Sequence, residues 1–128
     1  MTRYRRSCCS TFHRAVELVG RRWTGVIVYL LAEGPSRFSG LEARLPGITP
    51  RMLTERLRQL EGEGIVERRT LTGSPAGVEY ALSRKGRELS RALESIGAWA
   101  GRWVPDASRP PRRTTNAKRG TTSARNAQ

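Results

Sequence analysis

Histidine occurs once in this chain and cysteine only twice, and 11 Asp and Glu residues face 24 Lys and Arg. Each shortage closes off a class of function. A structural zinc usually takes four protein ligands, and His13 with the adjacent pair Cys8 and Cys9 cannot supply them without help from carboxylates or a second subunit. No glycine-rich loop follows a strand to cradle phosphate, and no paired carboxylates stand in an apolar setting. Cys9 with His13 as its base lacks a third group to orient the pair. Neither an enzymatic reaction, a metal nor a cofactor is therefore expected. Long apolar runs are missing too. The longest uncharged stretch, WTGVIVYLLA (23–32), is too short to cross a bilayer and reads as a buried helix. No apolar segment with a cleavage site follows the basic start, so the expected compartment is the cytoplasm. Thiols are kept reduced there, which makes a structural disulfide a poor account of the two cysteines.

What is abundant is positive charge, unevenly spread. Residues 1–8 carry three arginines, and residues 105–128 carry six Lys or Arg against Asp106 alone. Residues 9–104 hold the remaining 15 cations with 10 glutamates. The segment beyond residue 105 contains no Leu, Ile, Val or aromatic residue, so it cannot bury enough surface to offset ordering entropy and is expected to be a disordered basic tail. The reading is thus a basic arm (1–8), one folded domain (9–104) and the tail (105–128). A basic body with basic ends points to a polyanionic partner, most often nucleic acid.

Within 9–104 the elements follow from periodicity and punctuation. Phe12, Val16 and Val19 predict a short helix beginning near residue 10 or 11 and ending near Gly20. Trp23, Val26, Ile27, Leu30 and Leu31 stripe a second helix, which Gly34-Pro35 stops. Phe38, Leu41 and Leu45 mark a third, broken at Pro46-Gly47. Thr49 then caps a fourth, with Pro50 at its first position, where a missing N–H costs nothing. Leu53, Leu57 and Leu60 share its buried face, while Arg51, Thr54, Glu55 and Arg58 lie across from them. Arg56 borders the buried face and reads as a structural or phosphate contact. Two β-prone runs, 65–71 and 78–82, flank a Gly/Pro/Ser loop and predict a hairpin. Ser83 caps a final helix striped by Leu89, Leu93, Ile96, Trp99 and Trp103.

A short helix joined through a turn to an arginine-bearing helix, with a hairpin directly after it, is the order of a winged helix-turn-helix. The expected fold is mainly α with a small β-hairpin. The expected partner is double-stranded DNA with a pseudo-palindromic operator, whose half-sites lie about ten base pairs apart. Arg51 and Arg58 suit guanine O6/N7, and Thr54 and Glu55 lie beside them. Thr49 and Pro50 open the helix at the same surface. Of Arg68 and Arg69, on alternating faces of the first wing strand, one points toward DNA, and Ser74 in the wing loop can touch a phosphate. The last helix is longer than so small a domain can cover, so Leu89, Leu93, Ile96, Trp99 and Trp103 are expected to join two copies into a homodimer.

Three segments, LVGRRWTGVIVYLL, GPSRFSGLEARLPGITPRMLTERLRQLEGEGIVERR and VEYALSRKGREL, resemble the HxlR-type branch of the MarR-related winged-helix regulators. The resemblance runs from Cys9 to about Trp103. It rests on Gly20-x-x-Trp23, Arg37-Phe38, Leu53-x-x-Arg56-Leu57 and Tyr80 in combination. It implies a homodimeric transcriptional regulator, commonly a repressor, and in several members a response to oxidants, quinones or other electrophiles through one cysteine before the first helix. Cys9 stands at that place, fourteen residues ahead of Trp23, and Cys8 is an additional thiol beside it. Arg5, Arg6 and Arg14, with the start of the predicted helix, would favour the reactive thiolate. Adjacent cysteines form only a strained ring with each other, so disulfides between subunits or with a small thiol are expected. The reading is a thiol-switched regulator. Two alternatives stay open: non-specific nucleic-acid binding driven by the basic ends, and a regulator of this fold that responds to a small aromatic ligand without thiol chemistry.

Overall fold

No glycine or proline interrupts residues 2–19. In the computed structural model, which describes residues 2–73 and 76–106 with side chains from residue 9 onward, they form one helix, α1 (Thr2–Gly20). This departs from the sequence reading in one respect: the helix starts about two turns before residue 10 or 11 and takes in residues 2–8. Apolar periodicity, the signal used to place the start, is absent from TRYRRS, yet none of its residues opposes a helix strongly. The last residues of the basic tail (107–128) and the wing-loop residues Ser74 and Pro75 lie outside the described residues.

The remaining helices follow their punctuation. Helix α2 (Thr24–Leu31) buries Thr24, Ile27, Val28 and Leu31, and α3 (Phe38–Arg44) buries Leu41. Helix α4 (Pro50–Gly62) begins as the capping residues require: the Met52 N–H donates to Thr49 Oγ1 at 3.1 Å, and Pro50 occupies the first turn. It ends in a Schellman motif. Gly64 takes φ +71°, the Ile65 N–H donates to the Leu60 carbonyl at 2.9 Å, and the Gly64 N–H to that of Glu61 at 2.9 Å. Leu60 and Ile65 are both buried, which supplies the hydrophobic contact that accompanies the motif. Helix α5 (Arg84–Trp103) is capped by Ser83, whose Oγ accepts from the Gly86 N–H at 3.0 Å.

The sheet has three strands, one more than the predicted hairpin. Strands β2 (Val66–Leu71) and β3 (Gly77–Leu82) pair antiparallel, and the two-residue β1 (Ser36–Arg37) adds to the free edge of β3, in the order β1-β3-β2. Two residues are too few for an alternating pattern to betray a strand. Ile27, Val28, Leu41, Leu45, Leu53, Leu57, Leu60, Ile65, Val66 and Leu82 form one core between the helices and the sheet. The three-helix unit with its wing thus carries the burial, while α1 and most of α5 reach beyond it.

Candidate nucleic-acid interface

Burying Leu53, Leu57 and Leu60 against the core leaves the opposite side of α4 to solvent. Arg51, Thr54, Glu55, Arg58 and Gln59 line one shallow hollow there. The first four were expected on this face. Gln59 was not, although its place on the helical wheel, farther from the leucines than Thr54, puts it on the same side. Arg51, Glu55 and Arg58 are exposed. Thr54 is half-buried, and its Oγ1 donates to the Pro50 carbonyl at 2.8 Å, so its methyl and the acceptor side of the hydroxyl are left to meet a ligand. The Thr49 hydroxyl accepts from the Met52 N–H as the helix cap, which leaves its O–H as a donor. Arg56 is held within the protein: its Nε donates to the Arg22 carbonyl and an Nη to Gln59 Oε1, both at 2.9 Å.

The wing separates the two arginines assigned to it. Arg68 pairs with Tyr80 and Arg69 with Glu79, so the two guanidinium groups leave opposite faces of the sheet. Arg68 shares the face of buried Val66 and Leu82, the side on which the helical core lies. Arg69 is bonded to Glu67 at 3.2 Å and lines a groove with Leu31, Arg87, Arg91 and Glu94, toward α5. Arg37 braces the hairpin end, donating to the Ala76 carbonyl at 3.4 Å, a role that the sequence alone did not suggest.

Cys9 is exposed on α1. The setting expected for it, a helix N-terminus, is not where it stands, since α1 begins seven residues earlier and the end effect is confined to the first turn. No side-chain description covers Cys8. His13 Nε2 lies 3.1 Å from Glu17 one turn on, and among the described residues no three His, Cys, Asp or Glu side chains cluster to hold a metal.

The apolar residues assigned to subunit contact divide into two sets. Leu89 and Leu93 are half-buried against the core of their own chain, whereas Ile96, Trp99 and Trp103 are 55, 54 and 71 % exposed. Phe12 and Val16 on α1 and Val26 and Tyr29 on α2 are exposed as well. Phe12, Val16 and Val26 belong to the apolar stripes that predict α1 and α2, and Tyr29 belongs to neither stripe. Their spacing shows a face but not what covers it.

A capped helix whose free side carries two arginines, a threonine and a glutamate, preceded by a short helix and followed by a two-stranded wing, defines a winged helix-turn-helix DNA-binding protein. The chain belongs to the HxlR-like helix-turn-helix family, whose pattern spans residues 18–108. It is 42 % identical over 96 residues to the uncharacterized HTH-type transcriptional regulator YvaP of Bacillus subtilis, covering 75 % of this chain and 89 % of that one. It is 40 % identical over 92 residues to the HTH-type transcriptional regulator YodB of the same organism (72 and 82 % covered). The reduced form of YodB superposes with a TM-score of 0.67 at 38 % identity over 73 and 92 % of the two chains, and diamide-treated and quinone-bound forms are also similar. The redox regulator HypR in its oxidized form gives a TM-score of 0.69 at 32 % identity over 75 and 99 %. The protein is a transcriptional regulator. Among the described residues no helix is long and apolar enough to cross a membrane.

Proposed function

We propose that this protein is a homodimeric repressor whose hold on a pseudo-palindromic operator is released by modification of Cys9. The observation that carries the proposal is the place of the thiol. Cys9, Phe12 and Val16 follow one another at i, i+3 and i+7, so the exposed sulfur shares a helix face with two exposed apolar side chains. A second copy covering that face would seat both thiols in or beside the interface. The similarity to YodB, known in diamide-treated and quinone-bound forms, and to the redox regulator HypR supports the same chemistry.

In the proposed DNA complex, α4 enters the major groove. Arg51 and Arg58 meet guanine O6/N7, Glu55 accepts from cytosine N4–H, and the Thr54 methyl meets thymine. Thr49 and Pro50 set the helix start beside the backbone, and Arg68 with Ser74 in the wing reaches a phosphate. Arg69 serves the groove beside α5 instead. Diamide takes two electrons and two protons from two thiols onto its N=N bond, leaving a disulfide between Cys9 and Cys9 of the partner subunit, or with a small thiol. A quinone accepts Sγ on a ring carbon and the thiol proton on oxygen. Either product adds a bond or bulk at the subunit contact and shifts the separation of two helices that must fit one duplex.

The test compares operator binding before and after diamide or benzoquinone for wild type, Cys8→Ser and Cys9→Ser. Wild type and Cys8→Ser should release DNA, and Cys9→Ser should stay bound. If Cys9→Ser is released as readily as wild type, Cys9 is not the switch.

A further inference from the structure

We infer that Arg56 is a positioning residue that fixes the angle between the DNA-reading helix and α1, and thereby sets the half-site spacing the dimer accepts. This rests on the two-copy reading above. The observation is a hydrogen bond with no part in the leucine core: Arg56 Nε, on α4, donates at 2.9 Å to the carbonyl of Arg22, 34 residues away in the turn between α1 and α2. Its guanidinium is oriented by a second bond, to Gln59 Oε1 at 2.9 Å. A charged donor aimed by its own helix at a backbone acceptor is a strong, directional contact.

The turn it reaches is strained. Trp23 takes φ +77°, the one described non-glycine residue with positive φ, a conformation that an L side chain adopts only when its surroundings enforce it. Those surroundings can be named. The Thr24 N–H donates to the Arg21 carbonyl at 3.1 Å, and the Ile27 N–H to that of Trp23 at 3.0 Å. The Arg22 guanidinium stands 5.2 Å from the centre of the indole, which itself packs on the core. Arg56 supplies the one bond in this set that comes from α4.

Between Gly20, where α1 ends, and Thr24, where α2 begins, lie only residues 21–23. The direction in which α1 leaves the core is therefore decided by the dihedrals of this turn. Helix α1 bears exposed Phe12 and Val16, part of the face assigned to the second copy. A rotation at Trp23 re-aims that face relative to α4, and two-fold symmetry applies the change to both reading helices. One base pair of spacing corresponds to about 3.4 Å and roughly 35° on the duplex, so a modest loosening at the turn is enough to change which spacing fits. Arg56 needs no contact with a base to influence specificity in this way.

The experiment uses an operator selected from random duplexes and rebuilt with one or two base pairs inserted or removed between the half-sites. Affinities are measured for wild type, Arg56→Gln and Arg56→Lys, with sedimentation and thermal melting on each protein. Wild type should lose about tenfold or more per base pair of displacement. Arg56→Gln, folded and dimeric, should lose about threefold or less, with a flattened profile and intact base preference inside each half-site. Arg56→Lys, which keeps a charged donor of different shape, should fall between them and serves as the variant to read if Arg56→Gln fails to fold. A folded dimer whose profile matches wild type overturns the proposal. So does a uniform loss at every spacing, which would make Arg56 a phosphate contact. A wild-type protein that sediments as a monomer or shows no spacing preference overturns the two-copy reading itself, a result separate from the others.

Discussion

Two arginines two residues apart on α4 have the same chemistry and opposite assignments. Arg56 borders the leucine face and gives its guanidinium to Arg22 and Gln59. Arg58 lies across the helix, exposed beside Arg51 and Glu55. Position relative to the buried stripe makes the difference, and that much could be read from the sequence. Replacing Arg51 or Arg58 by Ala should weaken binding to the preferred operator by about 1–3 kcal/mol and relax the base preference at one position. Loss of equal size on every sequence would instead mark a phosphate contact, and no loss from either change would move the reading face elsewhere. The helix cap at Thr49 was legible for a similar reason, since Thr-Pro ahead of an apolar stripe has few other uses. The partners of Arg56, the left-handed Trp23 and the brace from Arg37 to Ala76 were not legible. Each joins residues far apart in sequence or depends on a backbone angle that no residue type announces.

At the scale of the element, local signals placed α2, α3, α4 and α5 well and misplaced the start of α1. Leucine spacing and Gly/Pro stops are strong signals where they occur, and residues 2–8 contain no leucine, glycine or proline to mark a helix start. The wing was legible as a hairpin because its loop is rich in Gly, Ser and Pro, whereas β1 borrows its order from β3. One junction shows how closely the elements fit. A Cβ at Gly86, in the first turn of α5, would lie 2.2 Å from the Ile65 carbonyl oxygen and 3.1 Å from Leu82 Cδ2. That oxygen also accepts the Ser83 N–H at 3.0 Å, so it is not free to retreat. Ala is the better helix former by about 1 kcal/mol, and the clash should outweigh it. Gly86→Ala is expected to destabilise by about 1–3 kcal/mol, lowering Tm by on the order of 5 °C per kcal/mol. A rise in Tm on differential scanning calorimetry would mean that α5 shifts freely at this point and that helix propensity governs.

For the whole molecule the decisive quantity is apolar surface that the single chain leaves in water. Phe12 and Val16 on α1, Val26 and Tyr29 on α2, Ile96, Trp99 and Trp103 on α5, and Val104 just beyond it are all about half exposed or more. They are not scattered. A Cβ on Gly25 of α2 would lie 3.5 Å from the Val19 carbonyl of α1 and 3.9 Å from Leu93 of α5, and one on Gly97 of α5 would lie 4.0 Å from the Tyr29 ring, so the three helices form one side of the domain. The sequence marked α5 as a docking helix and set α1 near the proposed subunit contact, but it gave no sign of Val26 and Tyr29 on α2, because a stripe left in water has the same spacing as one that meets its own core. It also ranked Leu93 with the docking residues, although that side chain supports the core of its own chain. An aspartate there would damage the fold and the interface together. Trp99, half exposed and clear of the core, separates the two. Trp99→Asp should leave Tm of the isolated domain nearly unchanged and weaken the dimer by about 2 kcal/mol or more, a roughly thirtyfold rise in the dissociation constant. Operator binding should fall with it at protein concentrations below that constant and recover above it. A variant that sediments as an unaltered dimer would place the subunit contact away from this side of the molecule. One that is dimeric yet no longer binds DNA would show that Trp99 orients the two reading helices instead of holding the copies together.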